Sequence, residues 1–211
     1  MLRARRRAPR GFSLIELMIV LAIIGLTTAL AAPAMRSWAA SAQVRTAGSS
    51  LATSLRNAQA QAIKSYQPVV FYRTADSTCS LNAEASATGR YWVVQLIQNP
   101  LITQPAPTQP LQCGSVTDST SNITITGPTA VCFGPNGRPL MLNAPVAGTS
   151  CNVNPDGNSI YWIDSSVTAP NQKKLSVWVT LGGTVRLCDR ERLLSDSEPD
   201  GCAAVNKAAT Q

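Results

Sequence analysis

GFSLIELMIVLAIIGLTTALAAPAM, residues 11–35, decides how this chain is built. Ahead of it lies a head carrying Arg3, Arg5, Arg6, Arg7 and Arg10 and no acid. Within it the only charge is Glu16, and residues 17–35 form a charge-free run about long enough to cross a bilayer as one helix. Cations gathered on one side of such a run hold that side in the cytoplasm, so the rest of the chain projects outward. An ordinary secretory signal ends in a small-residue cleavage site after its apolar region. Here the Gly11–Phe12 junction precedes the apolar run, and a cut there leaves the hydrophobic segment in the mature protein. A carboxylate near the end of a membrane helix is costly and has a partner. A new α-amino group at Phe12, on the same chain or on a neighbour, would serve Glu16. A plain single-span anchor with a stray acid is the simpler reading, but it gives no reason for the joint spacing of the head, Gly11, Phe12 and Glu16.

Processing at Gly11 changes what the composition implies. The formal charge of the whole chain is +7, but five of its 18 Lys and Arg lie in the head, leaving 13 against 11 acids, or about +2. A global electrostatic case for nucleic-acid binding therefore disappears, and only local patches remain. About 175 residues follow the leader and membrane run, enough for one domain. All six cysteines (Cys79, Cys113, Cys132, Cys151, Cys188 and Cys202) lie beyond that run. An even number in an exported domain favours disulfides, and six cysteines allow fifteen pairings. Chain order favours 79–113, 132–151 and 188–202, the last because it would staple the tail. There is no CxxC spacing and no histidine, so a redox motif, a typical zinc site and a Ser-His-Asp triad are unsupported. Ser13 and the other hydroxyls have no base to activate them, which leaves an enzyme without support and no cofactor implied.

From residue 36 to 66 the pattern turns amphipathic, with Val44, Leu51, Leu55, Ala58, Ala62 and Ile63 at three- and four-residue steps and Arg45, Arg56 and Lys64 elsewhere. The expectation is one continuous helix over 12–65, roughly 80 Å long, half in the membrane and half packed under a sheet. Gln67-Pro68 ends it, because the residue before a proline leaves the helical region. Short β-type runs follow at 69–73, 90–97, 123–126, 130–133, 139–142, 159–163, 174–181 and 184–188. Gly134-Pro135-Asn136-Gly137 is a turn between two of them. Leu175, Val177, Val179 and Leu181 alternate before Gly182-Gly183, which predicts a hairpin into 184–188. Residues 98–122 are rich in Pro, Gln, Thr and Ser and predict a long surface loop. The fold class is α+β, a long N-terminal transmembrane and amphipathic helix against an antiparallel β-sheet domain. The divisions are a leader 1–11, a membrane segment 12–35, an amphipathic continuation 36–66 and a β-domain 67–211.

GFSLIELMIVLAIIGL resembles the class III signal of type IV pilins and type II secretion pseudopilins. The resemblance implies that prepilin peptidase cuts after Gly11, that Phe12 becomes N-methylated and that Glu16 guides docking between subunits. Gly25 and Pro33 match helix-weakening positions of pilins, proline removing a hydrogen bond and kinking the helix. LATSLRNAQAQAIKSYQPVVFYR (51–73), FGPNGRPL (133–140) and LGGTVRLC (181–188) are similar to the GspH/FimT/FimU group. That resemblance implies a type IV pilin-like fold and a minor pilin that joins or primes pilus assembly, with a part in twitching motility. Its partners would be other major and minor pilins, prepilin peptidase, the inner-membrane assembly platform and membrane lipid. Its place would be the inner membrane, single-pass, with the C-terminal domain in the periplasm and later on a surface pilus. A type II secretion pseudopilin carries the same signal and is one alternative.

A second alternative is a DNA receptor for natural transformation. In some FimT-like proteins the C-terminal segment carries a DNA-binding Gly-Arg-x-Arg. The equivalent here is Gly183-Thr184-Val185-Arg186, which keeps the second arginine and replaces the first by Thr184. Arg190 and Arg192 follow, interleaved with Asp189 and Glu191. Phosphate affinity depends on the number of cations engaged, so this reading, centred on Arg186, Arg190 and Arg192, ranks below a strand end with solvated mixed charges. Lys173-Lys174 reads as an exposed turn. Trp92, Trp162 and Trp178 read as core or sheet-face packing rather than stacking platforms, and Trp38 as an interfacial anchor. Asp196, Glu198 and Asp200 read as a solvated loop.

Overall fold

The computed structural model describes residues 12–81, 83–98, 107–116, 122–153, 159–167 and 172–203. Gly11 and the rest of the predicted leader lie outside the described residues, as do 99–106 and 117–121 of the predicted loop. The long helix α1 spans Leu14–Ser65 and runs through Gly25 and Pro33 without a break. At 1.5 Å per residue its length is about 78 Å. It ends at Tyr66, whose φ of 53° is left-handed, just before Gln67-Pro68.

The two halves of α1 live in different surroundings. Leu14, Ile15, Leu17, Met18, Ile19, Val20 and the apolar residues beyond them are exposed. From Ala40 onward Val44, Ala47, Leu51, Ala52, Leu55, Ala58 and Ala62 are buried, a stripe at three- and four-residue steps. Ile63, predicted to share that stripe, is instead 48% exposed. Ala62 already faces inward, and the next residue turns about 100° away, as 3.6 residues per turn requires.

Twelve strands follow the helix among the described residues: β1 (Val69–Thr74), β2 (Tyr91–Leu96), β3 (Gln112–Ser115), β4 (Ile123–Thr126), β5 (Ala130–Phe133), β6 (Pro139–Leu140), β7 (Leu142–Val146), β8 (Thr149–Cys151), β9 (Ser159–Ser165), β10 (Leu175–Val179), β11 (Val185–Leu193) and β12 (Gly201–Cys202). They make two five-stranded sheets, β3-β2-β1-β5-β6 and β12-β11-β10-β9-β4, and a separate β7-β8 ribbon. The β-domain is therefore antiparallel, as expected, but divided, and β12 pairs with β11 in parallel. The predicted loop 98–122 contains β3, which pairs with β2. A polar Gln-Cys-Gly-Ser run carries no alternating apolar signal, so only its neighbour reveals it as a strand. The predicted strand 174–181 stops at Val179, leaving Leu181 58% exposed in the turn, while β11 runs on to Leu193.

The inner faces of both sheets close on the second half of α1. Val69, Phe71, Trp92, Val94, Val131 and Phe133 come from the first sheet, and Ile123, Ile125, Tyr161, Ile163, Val177 and Val179 from the second. Gly48 allows this approach, since a Cβ there would lie 2.9 Å from Leu187 Cδ1 and 3.3 Å from Ile163 Cδ1. A second core lies on the other face of the first sheet, joining Val70, Tyr72, Val93, Ala130 and Cys132 to Ala83, Val146 and Cys151. That is why all six residues of β1 are buried instead of alternating. Disulfides join Cys79 to Cys113, Cys132 to Cys151 and Cys188 to Cys202. The first two lie over the outer core, and the third ties β12 to β11.

Candidate functional site: an unpartnered helix and a basic strand

Phe12 stands two residues ahead of α1, 84% exposed, and Ser13 is the N-cap. Glu16 lies in the first helical turn, where its N–H donates to the Ser13 carbonyl at 3.1 Å. A carboxylate there faces the positive end of the helix dipole. Beyond it α1 is long and apolar enough to cross a membrane, and none of that stretch is buried within the chain. Apolar surface of this length is not left to water, so lipid or other helices must cover it. Trp38, 73% exposed just past the run, stands where an interfacial anchor would.

The second half of α1 fixes the β-domain to this rod with polar clips that the sequence pattern did not announce. Gln59 Nε2 donates to the Gly137 carbonyl and to the Gly183 carbonyl, 2.7 Å each, so one side chain holds a turn from each sheet. Arg56 donates to the Val185 carbonyl through Nε at 3.3 Å and Nη2 at 3.1 Å. Ser54 accepts from Trp92 Nε1 at 2.9 Å. Residues 56 and 59 share a helical face by spacing alone, which is the one cue a sequence offers.

The predicted basic segment is distributed differently from a row of free cations. All three arginines lie on β11. Arg186 is exposed, and its Nη2 approaches the Pro199 carbonyl at 3.4 Å. Arg190 is 9% exposed, and its Nη1 donates to both carboxylate oxygens of Asp164 at 3.0 Å, reaching across β10 to β9. Arg192 pairs with Glu198 at 2.7 Å and Asp200 at 3.5 Å. The Glu198 bond holds its guanidinium above the usual range. Asp189, buried, takes Lys173 as its ion-pair partner and accepts the Glu191 N–H at 3.0 Å. Lys173 is thus a structural cation and not an exposed turn, while Lys174 is exposed. Asp189 and Lys173 could not be paired from the sequence, because a strand register separates them. Trp92 is buried in the core, as read, and Trp162 and Trp178 are half-buried on the second sheet.

A membrane-length apolar helix that continues into the core of a disulfide-bonded antiparallel β-domain defines a type IV pilin-like protein. The chain belongs to the family of the Type II transport protein GspH, whose profile matches residues 47–197. The prokaryotic N-terminal methylation motif matches residues 6–32. Two crystal forms of the type IV minor pilin FimU from Pseudomonas aeruginosa are similar at 13% identity. One match covers 75% of this chain and 94% of FimU at a TM-score of 0.45, and the other 68% and 90% at 0.43. Membership of this family of structural pilin-like proteins gives the chain a general role in a pilus or secretion assembly, in association with other such subunits.

Proposed function

We propose that this chain is a minor type IV pilin that joins or primes a pilus. The observation that carries the reading is that the apolar first half of α1 is left exposed among the described residues, while the second half is the spine of the domain's core. In this reading prepilin peptidase cuts after Gly11 and Phe12 is N-methylated. The helix waits in the inner membrane as a single span with the β-domain in the periplasm, and the assembly platform then moves it from lipid into a bundle of other pilin helices. Glu16 fixes axial register there by neutralising the amino terminus of an adjoining subunit, since an unpaired carboxylate in an apolar bundle is costly.

Mass spectrometry of filaments sheared from the cell surface tests this. A peptide beginning at methylated Phe12 is expected among the pilus proteins. Glu16→Leu should leave processing and insertion intact and remove the protein from the filaments; normal incorporation would refute the register role. Recovery of the processed protein in the membrane alone favours the second reading, a type II secretion pseudopilin, which the family's own description supports. The DNA-receptor reading has less to stand on, because Arg190 and Arg192 are engaged by carboxylates. It requires salt-sensitive DNA binding by the full chain that collapses on Arg186→Ala.

A further inference from the structure

Apolar side chains exposed singly over a domain are ordinary, whereas neighbours exposed together ask for a partner. Among the described residues of the β-domain, Leu111, Met141 and Leu181 are exposed one at a time, but Leu193 and Leu194 are exposed together, at 54% and 42%. The end of β11 that carries them is braced. Leu193 pairs with Cys202 of β12, the Leu194 N–H donates to the Cys202 carbonyl at 3.1 Å, and Cys202 is bonded to Cys188. Arg192 holds the loop that follows through Glu198 and Asp200. Successive residues of an extended chain point to opposite sides, so no single layer of the fold can take in both leucines.

Contacts along α1 fix where this end stands. Gln59 holds Gly183, Arg56 holds Val185 and Gly48 lies against Leu187, so β11 runs back down the helix toward its membrane-length half. Lower still, the Lys173 N–H donates to Ser41 Oγ at 3.3 Å. Ser41 lies six residues beyond Met35, the end of the apolar run, which is about 9 Å of helix. Leu175 pairs with Asp189, so Leu193 stands two residues past the level of Lys173, roughly 7 Å nearer the apolar run. The two leucines therefore come level with the turn of α1 that holds Met35, Arg36 and Trp38.

A headgroup layer adds about 5–7 Å outside a hydrocarbon core of about 30 Å. With the apolar run filling that core, Leu193 and Leu194 stand in the headgroup layer, at the depth that suits Trp38 as an interfacial side chain. Exposed charges at this end are mixed, Arg36 and Lys174 against Glu191 and Asp196. Net charge therefore singles out no partner, and the apolar pair does.

We propose that the end of β11 is a second membrane contact, at which Leu193 and Leu194 seat the β-domain on the boundary between lipid headgroups and acyl chains. The proposal rests on the reading of α1 as a membrane anchor. Lipid is favoured over a neighbouring protein because one unbroken helix sets both the depth of the anchor and the level of the leucines. Two points of contact, the helix and the strand end, hold the domain at a fixed tilt over the bilayer before assembly.

Photo-crosslinking in vesicles tests the contact. A diazirine amino acid is placed at position 21, 181 or 194 of the full chain, which is reconstituted in phosphatidylcholine vesicles, irradiated and read by mass spectrometry. Leu21 lies in the apolar run, Leu181 in the turn at the opposite end of the second sheet, and all three positions are exposed, so the core is left untouched. Lipid adducts are expected at 21 and 194, with the yield at 181 at least tenfold below that at 194. Adducts at 21 without adducts at 194 overturn the second contact and leave the anchor standing. Absence of lipid adducts at 21 overturns the anchor reading and the second contact with it. Equal yields at 181 and 194, or protein adducts in place of lipid adducts at 194, also overturn the proposal, the last in favour of a neighbouring subunit.

Discussion

One helix serves two solvents. Over its first half α1 is apolar on every side and exposed among the described residues, whereas its second half is apolar on one stripe and buries that stripe under two sheets. The same backbone geometry holds throughout, so the difference lies entirely in where the apolar side chains sit around it. A helix apolar all round can be satisfied only by lipid or other apolar helices, and a one-sided helix by a domain of its own. The chain thus divides its labour along a single element, with assembly at one end and folding at the other.

The contrast breaks most visibly on truncating matched leucines. Leu55→Ala removes a fully buried side chain from the shared core and should destabilise the β-domain by about 2–5 kcal/mol. Leu21→Ala, exposed in the first half, should leave the domain's thermal melt in detergent unchanged. Equal losses would mean that the two halves fold as one unit. Opening Cys132–Cys151 comes next. That bridge closes a loop with a sequence separation of 19, and replacing both cysteines by serine should cost about 3 kcal/mol, read from denaturant melts.

The glycines sharpen the same comparison at smaller amplitude. Gly48→Val forces a side chain against Leu187 and Ile163 and should cost about 1–3 kcal/mol in the same melts. Gly25→Ala meets nothing within 4 Å and should not lower domain stability at all. The smallest effect lies far from the helix. The Thr78 N–H at 2.8 Å and hydroxyl at 2.7 Å hold the Asp76 carboxyl below its ordinary range. A carboxyl depressed in the folded state stabilises above its unfolded pKa and loses that contribution as pH falls through the folded value. Thr78→Val should therefore raise the Asp76 pKa toward the ordinary range in an NMR titration and blunt the acid side of the stability profile. An unmoved pKa would discard this pairing.

Residues 11–35 alone carried the membrane-length helix, and the three- and four-residue spacing of Val44, Leu51, Leu55, Ala58 and Ala62 carried its buried continuation. These are legible because helix periodicity is local: neighbours along the chain are neighbours in space. The hairpin turns at 134–137 and 182–183 were readable for the same reason, since glycine and proline act within a few residues. What pairs across the fold was not readable. The split into two sheets, the outer core that buries every residue of β1, β3 within a polar stretch, and Arg190 set against Asp164 depend on strand register and on which face meets which layer. Arg73 reads in sequence as the charged end of a strand, and only the approach of β4 encloses it between the two sheets. Burial and pairing of charge are set by contacts distant in sequence, and those the tertiary structure decided.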